Sequence, residues 1–168
     1  MIKLFGVILL LAGFCGLTFE KIRGDVEELK ELRQIKDFSA FLLKEIEYSH
    51  IPIPDICREY RDRSEGTLKC FLETVCKRYE ENQGKSFDVV WTDELKDYEG
   101  RCGQKRWLMK MSKEFGFQNV GMQVLAIGQY MTDIEKYIME KEKKFQDNRK
   151  LILYFGVMSG LLISIILL

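Results

Sequence analysis

Residues 26–46 read VEELKELRQIKDFSAFLLKEI. The apolar positions Val26, Leu29, Leu32, Ile35, Phe38, Phe41, Leu42 and Ile46 recur every three or four residues, which is the helical period and not the alternation of a strand. The stretch predicts one amphipathic helix of about 25 residues. On its C-terminal side stands Ile51-Pro52-Ile53-Pro54, where each proline disfavours the helical conformation in the residue before it and lacks the N–H a helix interior needs. Pro54 in turn suits the first turn of a second helix running through Tyr60.

Four more helices follow. Leu68, Phe71, Leu72, Val75 and Tyr79 mark a third that ends near Asn82-Gln83-Gly84. Ser86 is placed to cap a fourth, with Phe87, Val90, Trp91, Leu95 and Tyr98 facing inward. Val89-Val90-Trp91-Thr92 has strand-like composition but no hairpin partner, so it is read as helix. Gly100 to Gly103 breaks that element; Trp107, Leu108, Met111 and Phe115 mark a fifth ending at Gly116. Asn119 is the expected N-cap of a sixth, whose stripe is Val120, Val124, Ile127, Met131, Ile134 and Ile138. The expected fold class is therefore all-α, an antiparallel bundle of about six helices around one core.

Working outward, the ends differ from the middle. Leu4 to Phe19 (LFGVILLLAGFCGLTF) and Leu151 to Leu168 (LILYFGVMSGLLISIILL) carry no charge. Crossing a hydrocarbon layer takes about 20 apolar residues, with a range from about 17, so the second segment meets the length rule and the first sits at its edge. Neither has the polar stripe of a surface helix. A cleaved leader is the rival reading for the first segment, but Gly16-Leu17-Thr18-Phe19 ends in a bulky aromatic where small residues are wanted. The expected organisation is a transmembrane helix at 1–20, a helical domain at 21–150 and a transmembrane helix at 151–168.

Cations near a span stay on the cytoplasmic side. Lys21, Arg23, Lys30, Arg33 and Lys36 follow the first segment; Lys136, Lys141, Lys143, Lys144, Arg149 and Lys150 precede the second; beyond them there is only Lys3. The expectation is a two-span protein of the cell membrane, in contact with the lipid bilayer, whose central domain is cytoplasmic. Small residues four apart, Ala12 with Gly16 and Gly156 with Gly160, suit close packing of the spans.

The chain has 26 Lys plus Arg against 26 Asp plus Glu, so it lacks the basic excess of a nucleic-acid binder. No nucleophile, phosphate loop or metal-ligand cluster stands out, and neither an enzyme nor a cofactor is expected. Five cysteines, Cys15, Cys57, Cys70, Cys76 and Cys102, are odd in number and irregular in spacing, which argues against a disulfide framework. With His50 as the one histidine, a zinc site is not expected either. Glu45 falls among Phe41, Leu42 and Ile46, so its carboxylate is expected on the apolar face, paired with a cation or a hydroxyl or held for a partner.

The order of several short stretches resembles the stage III sporulation AB family of endospore-forming bacteria, relatives of the F-type platform proteins of type II secretion and type IV pilus systems. The resembling residues are Glu45-Ile46-Glu47-Tyr48, then Pro52, then Trp91, then Phe115-Gly116-Phe117-Gln118-Asn119 with Gln123, then Tyr154-Phe155-Gly156-Val157-Met158-Ser159-Gly160-Leu161-Leu162. Ile51 and Ile53 depart from the family's threonine and leucine around the proline, and Asn119 from its aspartate. The resemblance implies an F-type helical domain in the mother-cell membrane around the forespore. It would work beside a cytoplasmic secretion-type ATPase of the same operon and other membrane proteins of the channel joining the two cells. Glu45, Tyr48, Pro52, Trp91, Gly116, Asn119 and Gln123 are then structural or interface residues, and self-association is open.

Two further readings stand beside that one. Cys57 next to Arg58, and Cys76 next to Lys77 and Arg78, motivate a membrane-anchored thiol redox or ligand sensor. The other is an exported domain whose leader has been removed and which keeps a C-terminal anchor.

Overall fold

The structure, a computed structural model, describes the backbone of residues 2–49, 51–81, 84–98, 100–115 and 119–167. Side chains are described within 22–151, apart from Cys102, and at Tyr154 and Met158. Among the described residues there are six α-helices and no strand: α1 (Ile2–Lys44), α2 (Ile53–Arg61), α3 (Gly66–Glu81), α4 (Phe87–Glu94), α5 (Cys102–Ser112) and α6 (Val120–Leu167). The all-α expectation holds, and residues 89–92 are helical. The chain divides into two compact units, Lys30–Tyr137, and Met1–Leu29 with Ile138–Leu168.

In the larger unit, Leu32, Ile35, Phe38 and Leu42 of α1 are fully buried, as the 26–46 period predicts. Val26, which belongs to the smaller unit, is exposed. Residues Glu45–Ser49 continue α1 as a π-helical turn, which the sequence period did not foretell. Pro52 then enters α2 in an extended conformation (φ −60°, ψ 142°), and its carbonyl accepts from the N–H groups of Asp55 and Ile56. α3 begins at Gly66, whose φ of +64° is a left-handed conformation that glycine adopts without steric cost. Ser86 occupies the N-cap of α4, but its side chain makes no capping bond. α4 stops at Glu94, short of the Tyr98 expected from spacing, and α5 passes into a 3₁₀ turn, Lys113–Phe115.

The core is an aromatic cluster around Trp91 of α4. Its ring meets Phe71 and Phe115 edge-on, with centroids 4.8 and 4.9 Å away, and Phe87 and Phe38 lie at 5.9 and 6.2 Å. Such pairs contribute about 0.5–1.5 kcal/mol each beyond burial. The indole Nε1–H donates to the Leu108 carbonyl at 3.0 Å, tying α4 to α5. In the same unit α1 and α6 run antiparallel: Lys36 Nζ lies 2.6 Å from Glu135 Oε1, and Ser39 faces Tyr130.

The inward row of α6 differs from the expected one. Val120 is exposed and Val124 and Met131 are half-buried, whereas Gln123, Ile127, Tyr130 and Ile134 are buried. The Tyr130 hydroxyl donates to the Trp107 carbonyl at 3.0 Å, which lets a phenol stand in an apolar interior.

In the smaller unit Leu29 and Ile138 are buried, Lys141 pairs with Glu28, and Arg23 pairs with Glu27 at 3.3 Å. The two expected spans lie on α1 and α6, which continue without a break at Glu20 or at Lys150. Most of their side chains lie outside the described residues. Among the described residues no helix is long and apolar enough to cross a membrane.

Candidate functional site

The residues singled out in the sequence separate into two sets. Trp91, Asn119 and Gln123 hold the fold. Asn119 Oδ1 accepts from the N–H of Gly121 at 2.8 Å and of Met122 at 3.3 Å, satisfying two of the donors that open α6. One turn on, buried Gln123 donates through Nε2 to the Glu114 carbonyl at 3.3 Å and so fastens the start of α6 to the end of α5. An aspartate here would accept the same two bonds, and Asn119 provides the cap without the charge.

Glu45, Tyr48 and Pro52 lie at the surface. Glu45 is half-buried, where a place on the apolar face predicts burial, and its carboxylate forms no ion pair with a described residue. The reason is its angular position: Leu42 and Ile46 lie on the midline of the buried stripe, whereas Glu45 and half-buried Phe41 sit on its flank. Tyr48 is 75% exposed on the π turn. Gly116 lies outside the described residues; Gly156 and Gly160 lie on α6, with surroundings outside them too.

Extending the antiparallel register set by Lys36–Glu135 and Ser39–Tyr130 along the helix axes brings residues 45–48 level with about 122–125. There α6 presents Met122 and Leu125 at 55% and 72% exposure. The sequence does carry a signal for this face. Asn119 to Thr132 is fourteen residues without a charge, in a chain that is 31% charged. Around it α6 shows solvent Gly121, Leu125, Gln129 and Thr132, opposite the row that enters the core.

The thiols divide as well. Cys57 and Cys76 are buried between α2 and α3; burial raises both thiols, well above the ordinary value for Cys57, where Cys76 adds to the effect, while Arg58 and Arg61 oppose it at Cys76. Buried, protonated sulfur reacts slowly, which counts against the two thiols whose neighbouring cations motivated the sensor reading. Cys70 is exposed. Among the described residues no three His, Cys, Asp or Glu side chains group closely enough to hold a metal ion.

A second feature went unread in the sequence. A cavity of about 730 Å3 lies between α3 and the segment joining α4 to α5, lined among others by Cys70, Phe71, Arg78, Glu94, Asp97 and Tyr98. A carboxylate in a chain this rich in charge is ordinarily solvated, yet the Glu94 side chain is 5% exposed. Burial raises its carboxyl above the usual range, against the opposing charge of Arg78.

The family model for stage III sporulation protein AB matches residues 3–168. A solved structure of a stage III sporulation protein AB (SpoIIIAB) superposes with a TM-score of 0.63 at 17% identity, over 71% of this chain and 97% of that one. No curated protein matches the sequence. At that identity the solved structure shows likeness of fold, and the near-complete match to the family model shows more: the chain belongs to the stage III sporulation protein AB family.

Proposed function

We propose that this protein is a non-enzymatic membrane platform of the channel between mother cell and forespore, needed for endospore formation, and that it docks a cytoplasmic secretion-type ATPase encoded in the same operon. The observation that carries the reading is the uncharged outer face at the start of α6, on which Met122 and Leu125 are exposed. A monomer gains nothing from leaving such side chains in water, whereas a protein interface buries them.

Anchoring by a helix at each end, with residues 21–150 cytoplasmic between them, belongs to the same proposal. Its support is the charge-free composition of 4–19 and 151–168, their flanking cations, and the exposure of Leu151, Tyr154 and Met158 along one side of α6. Gly156 and Gly160 would then serve contacts with neighbouring spans.

The test is calorimetry between the ATPase and the full chain in mild detergent. The wild type should bind; Leu125→Asp, with an unchanged circular dichroism spectrum, should weaken binding at least about tenfold, the effect of about 1.4 kcal/mol. No binding by the wild type, or equal binding by the folded variant, refutes docking through this face. A reporter fused after residue 150 that is active only outside the cytoplasm refutes the topology.

A further inference from the structure

We infer that the cavity between α3 and the α4–α5 connection is a binding site for an alkyl ammonium or guanidinium group, entering on an aliphatic stem with its charge toward Glu94. This site is separate from the face of α6, and either proposal can fail without the other.

Three observations carry it. The first is shape and lining: about 730 Å3 of space walled by the rings of Phe71 and Tyr98, which meet edge-on with centroids 5.3 Å apart. A methylene stem fits such a wall, and the faces of aromatic rings attract a cation. The space depends on Gly100, because a β-carbon there would stand 2.1 Å from the Tyr98 ring and push it aside.

The second is an acceptor without its donor. Glu94 lines the cavity with a side chain 5% exposed, and its Oε1 receives no hydrogen bond. Arg78 Nη1 comes within 2.8 Å of that oxygen, but off the hydrogen-bonding direction and from a half-exposed position at the rim. The contact supplies charge and leaves the lone pair open. A carboxylate shielded from water is costly unless donors meet it, and an entering N–H would meet it.

The third is that the Tyr98 hydroxyl is buried in the same wall without a closed hydrogen bond, although Thr67 stands beside it; Thr67 Oγ1 instead donates to Gln104 Oε1 at 3.2 Å. An ammonium or guanidinium has several N–H groups, so it has donors for more than one such oxygen. The charges on the lining balance, Glu94 and Asp97 against Lys69 and Arg78, so what favours a cation over an anion is the buried Glu94 oxygen that lacks a hydrogen-bond donor.

Exposed Cys70 sits on the lining and reports occupancy, since Cys57 and Cys76 are buried. The full chain in mild detergent is treated with N-ethylmaleimide, and the rate at Cys70 is read by peptide mass spectrometry in n-butylguanidinium, butanol or butyrate. The expected result is a saturable, several-fold slowing by butylguanidinium and none by the other two. Glu94→Gln should abolish the slowing and Tyr98→Phe, which keeps the ring on Phe71, should weaken it, both with the near-ultraviolet circular dichroism of the parent. The site is overturned if butylguanidinium has no effect, if butanol slows labelling as much, or if both folded variants keep the full effect. Agmatine and acetyl-Ala-Arg-Ala-amide then distinguish the source: tighter protection by the tripeptide identifies an arginine or lysine of a partner polypeptide, and tighter protection by agmatine a free amine.

Discussion

Replacing Trp91 and Trp107 by phenylalanine, one at a time, should destabilise the protein to different extents, although both indoles are buried and removal trims the same atoms. Trp91 is 0% exposed and its Nε1–H donates to the Leu108 carbonyl. Losing that bond costs about 1 kcal/mol net, and the smaller ring leaves a void worth about 1 kcal/mol more. Trp107 is 7% exposed, and its Nε1–H is buried with no acceptor. Trp107→Phe leaves a similar void but also removes an unpaired donor whose burial costs about 1–3 kcal/mol, so the two effects offset. The predicted gap is about 2 kcal/mol. For a unit of ~100 residues, such as Lys30–Tyr137, each kcal/mol moves the melting temperature by about 4–8 °C, so the two variants should differ by roughly 10 °C. Thermal unfolding of the full chain in mild detergent, followed by near-ultraviolet circular dichroism, reads it. Equal melting temperatures, or a larger loss at Trp107, would refute the account of which indole is satisfied.

The cap of α6 gives a second prediction: Asn119→Ala should cost about 1 kcal/mol in the same assay, and Asn119→Asp should cost nothing or stabilise, because it keeps the acceptor and adds charge where the helix dipole favours it. A third concerns alkaline pH. Burial first of all pushes the Tyr98 phenol from 10.0 up to about 12, and raises that of Tyr130 as well. Below pH 10 both phenols are protonated in the folded and unfolded chain and their contribution is whole. As pH rises from 10 toward 12 the unfolded chain ionises first, so stability falls, and Tyr98→Phe should flatten that fall; a parallel pH profile for the variant counts against it. Fourth, maleimide labelling at neutral pH should modify Cys70 quickly and leave Cys57 and Cys76 almost untouched until the protein unfolds. Fast labelling of either buried thiol would revive the sensor reading.

Much of the architecture was legible because long helices repeat their signal. Leu32, Ile35, Phe38 and Leu42 state one face four times over, and the prolines at 52 and 54 state its end. Local punctuation at Asn119 was legible for the same kind of reason: a cap depends on a side chain and the next three residues, with no need of the rest of the fold. What could not be read was set by partners distant in the chain. Nothing near Glu94 in sequence announces that it will be covered; a salt bridge to Arg78 on another helix and the fold of the α4–α5 connection decide that.

The first turns of α6 show the limit most clearly. Where a helix carries charges on one side, the charges locate its solvent face, and the apolar row follows by elimination. From Asn119 to Thr132 there are none, so apolarity alone chose Val120, Val124 and Met131. The fold chose Gln123 and Tyr130 instead, because the carbonyls of Glu114 and Trp107 stand where those two side chains can donate to them. A polar residue is a core residue wherever the fold supplies its partner. The same absence of charge let Val120, which the structure exposes, read as interior, because no charged neighbour marked that side of the helix as the solvent face.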